Sequence, residues 1–239
     1  MSTRLFLIEA LSNLHVGSGE INYGLIDNLI QRDPVTGLPN INSSSLKGAL
    51  REYFSHLEKQ NKKQNKEQKW SVSDIFGSDP NDKNNRRQGS VRFFEAELLA
   101  IPVPCKDKPY EMTTSTKIVS ELTEKLKNYD LLKADSMPKD VKNKLFGSDV
   151  IEKAYEKFKD ICSDDELPVI SRNYLENGQS SNLWYEQVLP KHSRLCFFVL
   201  GNDDLAFEAF CKELDGARVQ IGANATIGYG YCKLSEVKL

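Results

Sequence analysis

The sequence predicts an α+β fold with a ferredoxin-like βαββαβ core, and three observations carry that prediction. An apolar N-terminal run precedes a helix-period segment. A second helix-period segment lies between two apolar runs near the C-terminus. The strand-like runs alternate imperfectly, as central strands buried on both faces do. The order strand, helix, inserted material, strand, helix, strand suits an antiparallel ferredoxin-like sheet better than a doubly wound one. No dinucleotide fingerprint is present, because GSGEIN at 17–22 lacks the GxGxxG spacing.

Residues 3–11 read as the first strand, with Leu5, Leu7, Ala10 and Leu11 competing for the buried face and Thr3 and Glu9 outside. His15 to Tyr23 is a loop, and Leu25 to Gln31 a short extended piece. In Asp33-Pro34-Val35-Thr36-Gly37, Pro34 fixes φ and Gly37 accepts the left-handed position, so the segment is a turn. Ser43 or Ser44 is expected to cap a helix running to about Lys59, with Leu46, Leu50 and Phe54 on its apolar stripe. From 58 to 90 apolar content collapses, which reads as a solvated helical extension or a loop. Nine basic side chains stand against five acidic ones (Glu58, Glu67, Asp74, Asp79, Asp82) between 58 and 92; Lys83 is one of the nine. That excess is either a solvated face or a contact for nucleic acid.

The Ile-Pro-Val-Pro end of 91–104 favours a strand there. Residues 113–132 read as a helix and 148–160 as a second, polar one, both within an inserted lobe. LPVISRNYL at 167–175 is a strand or hairpin arm, followed by an exposed loop ENGQSS. RLCFFVLG at 194–201 is the strongest central strand. Asp203 or Asp204 caps the helix AFEAFCKEL, and ARVQIGANATIGYGYCKL supplies a strand, a glycine loop and a final strand.

At 239 residues the chain is long enough for one large domain with insertions or two small ones. Hydrophobic residues make up 39% and charged residues 28%, as in soluble domains, and 32 basic against 34 acidic side chains leave a net charge of -2. A globally basic nucleic-acid binder is excluded; a local basic stripe is not. Five cysteines without a CxxC or Cys/His cluster argue against structural zinc, and Cys196, Cys211 and Cys232 read as buried thiols of a cytoplasmic protein. The N-terminus lacks a signal-peptide pattern and no apolar run approaches 18 residues, so neither secretion nor a membrane span is expected.

Chemistry-bearing residues gather in the N-terminal third. His15, Gly17, Gly19, Glu20, Tyr23 and Asp27 fall within thirteen residues. His15 is either a satisfied loop histidine or a general base. Asp27 is either a turn carboxylate or the group that activates a nucleophile or holds a hydrated Mg²⁺; a lone carboxylate would leave the ion on water and substrate phosphates. Lys47 sits in the first turn of the SSSLKG helix, where a cation meets the positive end of the dipole and costs about 0.3–1 kcal/mol. A bound phosphate reverses that sign by using free N–H groups, Ser44, Ser45 and Lys47 together, and Arg51 lies one turn on. Gly48 allows close approach of a ligand or tight helix packing. The glycine loop IGANATIGYG offers backbone N–H groups, or is simply a bulged hairpin. Trp184 and Tyr185 either stack on bases or belong to the core.

The run LHVGSG, GLIDNLIQRDPVTGLPNI, SSLKGALR, then IFGSDP, EAELLAIPVP, LWYEQVLP and IGANATIGYGYC resembles the RAMP superfamily. More narrowly it is similar to the repeated backbone subunit of type III-B CRISPR effector complexes. The sister type III-A subunit shares the first motifs; IQR, LWYEQVLP and the closing glycine loop tip the choice. The resemblance implies a ferredoxin-like (RRM-like) palm at about 1–57, 91–104 and 190–239 of a single domain, a fingers-like insertion at about 58–90 and a thumb-containing insertion at about 105–180. It implies head-to-tail assembly with further copies of the chain and with other effector subunits along a guide CRISPR RNA, and metal-dependent cleavage of complementary target RNA at regular steps. Carried over residue by residue, Asp27 is the cleavage and metal residue with His15 as neighbour. Ser44, Ser45, Lys47 and Arg51 fall on the guide-binding helix start, and Gly222, Gly228 and Gly230 on the glycine loop. The implied cofactor is Mg²⁺ or another divalent cation.

Three departures stand out. Asn42-Ser43-Ser44-Ser45 replaces the family's Pro-Gly-Ser-Ser, Ala223 and Ala225 replace a glycine and an acidic residue, and the chain is short for the family, which implies a trimmed thumb. Three readings follow: a guided endoribonuclease, a non-catalytic guide-binding subunit, and a metal-independent guide-processing RNase using His15.

Overall fold

The computed structural model describes residues 1–19, 24–78 and 86–239. Glu20 and Tyr23 of the first glycine loop, the Asp79-Pro80 end of IFGSDP, and Asp82 and Lys83 lie outside the described residues. The chain runs through β1 (Ser2–Ala10), β2 (Asn40–Ile41), α1 (Ser43–Lys63), α2 (Val72–Phe76), β3 (Arg92–Phe93), β4 (Ala96–Val103) and β5 (Glu111–Ser115). It continues with α3 (Thr116–Asn128), α4 (Lys139–Phe146), β6 (Ile151–Lys153), α5 (Tyr155–Ile161), β7 (Val169–Glu176) and β8 (Gln179–Gln187). It closes with β9 (Arg194–Gly201), α6 (Leu205–Leu214), β10 (Arg218–Gln220), a 3-10 turn (Ala225–Ile227) and β11 (Tyr231–Glu236).

The strand order β10-β11-β1-β9-β4-β5-β6 contains the expected core: β11, β1, β9 and β4 lie side by side and antiparallel, with α1 and α6 as the two crossovers. β1 and β9 pair along their length, from Ser2↔Gly201 to Glu9↔Arg194, and Phe6 stacks on Phe197 with ring centroids 5.5 Å apart. One face of the sheet is covered by α1 and α6, where Phe54 meets Phe210 at 4.8 Å. Tyr129, at the end of α3, packs on Phe198 at 4.7 Å and on Phe94 at 5.6 Å. Packing from both sides explains why β1 and β9 do not alternate cleanly. The inserted lobe is not separate at its base, because β5 and β6 extend the main sheet beyond β4. β7 and β8 form a sheet of their own.

Several boundaries depart from the sequence reading. Asn42, not a serine, is the N-cap of α1, and the helix runs on to Lys63, supported by a Lys62–Glu58 ion pair across one turn at 2.9 Å. Residues 113–115 are strand: two β-branched threonines extend the chain until Ser115 caps α3 by accepting the Ile118 N–H. The helix expected over 148–160 is instead β6 followed by the short α5, and a further helix, α4, precedes it and ends at Gly147. ENGQSS is not an open loop; Asn177 and Gly178, both at positive φ, make a tight turn that folds β8 back on β7. Leu25 to Gln31 forms isolated bridges rather than a strand, and Leu11 falls beyond the end of β1 and is exposed. The turn at 33–37 and the Asp204 cap of α6 are as expected: Asp33 accepts the Thr36 N–H at 2.6 Å, and Asp204 the Phe207 N–H at 2.9 Å.

The cysteines are free; Cys162, Cys196, Cys211 and Cys232 are buried, and burial pushes the Cys162, Cys211 and Cys232 thiols up to about 12. Among the described residues no helix is long and apolar enough to cross a membrane.

Candidate nucleic-acid interface

The start of α1 is held by Gln31, a buried side chain with both ends of its amide in use. Its Oε1 accepts the Asn42 N–H at 2.8 Å, while Nε2 donates to the Ser45 hydroxyl at 3.0 Å and the Gly17 carbonyl at 3.2 Å. Asn42 makes no side-chain capping bond, and the first turn carries no acidic residue. The first-turn N–H groups therefore keep their full partial charge for a ligand.

Ser44, Ser45, Gly48 and Ala49 of α1 line a shallow groove of about 410 Å³ together with Val16, Gly17, Gln31, Gln220 and Gly222. A Cβ added at Gly48 would meet nothing within 4 Å, so this glycine serves no helix packing, although glycine inside a helix costs about 0.5–1 kcal/mol. Its open face lies on the groove. Arg51 follows Ser44 and Gly48 on the same stripe by helical spacing. Lys47 does not line the groove; its Nζ lies 6.0 Å from the Phe93 ring centre.

The closing glycine loop is tied to the first one. The Ala223 N–H donates to the His15 carbonyl at 2.9 Å and the Gly230 N–H to the Asn13 carbonyl at 2.8 Å. What approaches Gly222 and Gly230 is the chain's own backbone: both have positive φ, and an added Cβ would lie 2.3 Å from the His15 oxygen or 1.9 Å from that of Ile221. Gly228 instead faces open space.

The end of β8 is a rail for the remaining candidates. Asp27 is exposed; its Oδ2 accepts the Tyr185 N–H at 2.8 Å, and its own N–H donates to the Tyr185 carbonyl at 3.1 Å. Two residues along, the Gln187 carbonyl lies 2.7 Å from Nδ1 of His15. A carbonyl only accepts, so Nδ1 is the donor in this bond. The His15 ring is 5% exposed and braces its loop against β8. Trp184 is half-buried, with Arg172 over its ring at 5.5 Å and its Nε1 donating to Glu186 at 3.0 Å. Tyr185 is exposed.

Sequence reasoning missed Gln31, Glu186 and Gln187 as the side chains that assemble this surface. The first lies in IQR and the others in LWYEQVLP, and polar residues set within otherwise apolar strand-like runs are a signal that could have found them. No group of three or more His, Cys, Asp or Glu side chains gathers among the described residues. The donor set at Asp27 is one carboxylate with one oxygen already on a backbone N–H, which fits only a divalent cation that keeps most of its water.

The molecule is a split ferredoxin-like core with glycine loops gathered at a helix start, and the RAMP superfamily model matches residues 7–233. The chain belongs to the RAMP superfamily. It is 25% identical to the CRISPR system Cmr endoribonuclease Cmr4 of Pyrococcus furiosus, over 98% of this chain and 96% of the relative. Its fold is similar to a chain of the type III-B Cmr-beta complex bound to cognate target RNA (TM-score 0.74, 21% identity, covering 99% of this chain and 98% of the other). It is similar too to oligomeric Cmr4 from Pyrococcus furiosus (TM-score 0.72, 18% identity, covering 100% and 99%).

Proposed function

We propose that this chain is a guide-RNA-binding backbone subunit of a type III-B CRISPR effector complex, assembled with further copies of itself and other subunits around guide and target RNA. The observation that carries the proposal is the groove at the start of α1, where uncapped helix N–H groups, two serines and an unhindered glycine meet two glycine loops. Such a surface binds successive phosphates without reading bases, as a guide-holding protein requires. The relatives support the reading, one being found in a complex with target RNA and one crystallised as an oligomer. We assign the palm to about 1–57, 91–104 and 190–239, the fingers-like insertion to about 58–90 and the thumb-containing insertion to about 105–180, whose hairpin arm runs on to Gln187. The test is assembly on labelled guide RNA across a salt series. Ser45→Ala combined with Gly48→Leu should weaken binding broadly across sequences; Lys47→Ala should weaken it less and flatten the salt slope by about one phosphate contact. Unchanged binding in the first variant would overturn the groove.

Cleavage of the target RNA is the finer reading, favoured by one observation: Asp27 is an exposed carboxylate held in place by the backbone of β8. Its second oxygen is available to orient the attacking hydroxyl of the RNA or to hold a hydrated divalent cation, and that cation would supply charge stabilisation at the phosphate. Asp27→Ala should abolish regularly spaced cutting of guide-complementary RNA while leaving guide binding within about twofold. Cutting that persists in the variant, or native complex that binds target without cutting, would leave the subunit as a scaffold.

A further inference from the structure

Glu186 is a buried carboxylate surrounded by four donors from four different places in the chain. Its Oε1 accepts from Trp184 Nε1 at 3.0 Å and Asn28 Nδ2 at 3.5 Å; its Oε2 accepts from Asn224 Nδ2 at 2.9 Å and Arg172 Nη1 at 3.1 Å. Asn28 neighbours Asp27, Arg172 is on β7, and Asn224 sits at positive φ in the closing glycine loop. The Arg172 guanidinium lies over two rings, Trp184 at 5.5 Å and Tyr229 at 6.0 Å, so it too reaches from the hairpin to that loop.

We propose that Glu186 is the positioning residue of this surface: it locks the β7–β8 hairpin, the Asp27 segment and the 222–230 loop into one unit, so that Asp27 is presented at a fixed place relative to the bound RNA. The argument is one of donors and acceptors. All four partners donate, and a carboxylate offers acceptor lone pairs on both oxygens. A glutamine of the same shape turns an NH₂ toward one pair whichever way its amide is set, leaving two part-buried donors facing a third. The geometry also fixes an order of dependence. Loss of Asn224 removes the bond to the glycine loop alone, loss of Arg172 removes the contacts of β7 with Glu186 and Tyr229, and loss of Glu186 removes every side-chain bond of the cluster, leaving the backbone bonds of Asp27 and Ala223 as the remaining ties.

The catalytic half of this inference rests on the proposed cleavage by Asp27; the mechanical half does not, and the experiment separates them. In the assembled complex with guide RNA, hydrogen exchange is followed at the Asp27, Tyr185, Ala223 and Tyr229 amides for native protein, Glu186→Gln, Asn224→Ala and Arg172→Lys. Single-turnover cutting and target affinity are measured on the same samples. Glu186→Gln should speed exchange about tenfold at all four amides, leave the β1 amides unchanged, and slow cutting about tenfold at saturating target with target affinity within twofold. Asn224→Ala should speed exchange at Ala223 and Tyr229 only, and Arg172→Lys should retain part of the coupling. Unchanged exchange at Asp27 in Glu186→Gln overturns the proposal, as does loosened exchange with full cutting rate. If native complex does not cut, the cleavage reading fails by itself and the exchange pattern alone decides the coupling. Should Glu186→Gln fail to assemble, a loop that stays protected in both Asn224→Ala and Arg172→Lys overturns it.

Discussion

The β1–β9 pair and the β7–β8 hairpin are antiparallel ladders of similar length held together by opposite means. In β1–β9, Leu5, Phe6, Ile8, Leu195, Phe197 and Val199 are buried, and the ladder is fixed by side chains packed on both faces. In β7–β8 most side chains are exposed, among them Tyr174, Leu175 and Leu183. Its order comes from the Asn177-Gly178 turn at one end and the polar anchor of Glu186 and Gln187 at the other. Burial fixes the palm as a rigid base. The hairpin projects from it, and what it carries is positioned by hydrogen bonds that single substitutions can cut.

Four substitutions test that difference, and the largest effect belongs to the palm. Phe197→Ala should destabilise the chain by about 3–5 kcal/mol, measured by denaturant unfolding, because it empties the stack with Phe6 in a core without slack. A loss under about 1 kcal/mol would mean that the palm is not the cooperative base described here. Gln31→Ala comes next, at about 1–3 kcal/mol, since it strands the Asn42 N–H and the Ser45 hydroxyl. It should also weaken guide RNA binding, and stable protein with native guide affinity would break the link between Gln31 and the groove.

Smaller effects belong to the turns and the projecting arm. The Thr36 N–H, with the Thr36 hydroxyl and the Val35 N–H, holds the Asp33 carboxyl below its ordinary range against a smaller opposing effect of burial. That stabilisation is complete above the unfolded-chain value and is lost as pH falls through the lower folded one. Asp33→Asn should therefore cost less than about 1 kcal/mol at neutral pH for so exposed a group, and the variant and native protein should converge below about pH 4. A gap that widens on acidification would contradict the sign. Leu183→Ala should change stability by no more than about 0.5 kcal/mol, because the side chain is exposed. A large loss there would show that the hairpin packs against something in the free protein.

The palm was legible in the sequence to the degree that burial decided it. RLCFFVLG announced a central strand, and Leu46, Leu50 and Phe54 announced α1, since apolar periodicity records which side chains leave water. The inserted region was less legible. Thr113-Thr114 and Ile151–Lys153 belong to short strands, decided by pairing of β5 with β4 and of β6 with β5. Of the candidate surface, the sequence named Ser44, Ser45, Gly48 and Gly222, which line the groove, and the exposed Asp27, but it also named Lys47, which does not line it, and missed Gln31, which does.

By itself, then, the amino-acid order determined the split βαββαβ core, the tight turn at 33–37, and the helix that opens on serines, because each depends on local dihedrals or on a regular apolar period. Only the tertiary structure decided that Gln31 fastens the helix start, that Gly222 and Gly230 make room for the chain's own carbonyls, and that Glu186 joins four donors drawn from 28, 172, 184 and 224. Hydrogen bonds between side chains on different elements leave no period in the sequence. They exist only once the sheet has brought their donors and acceptors within about 3 Å.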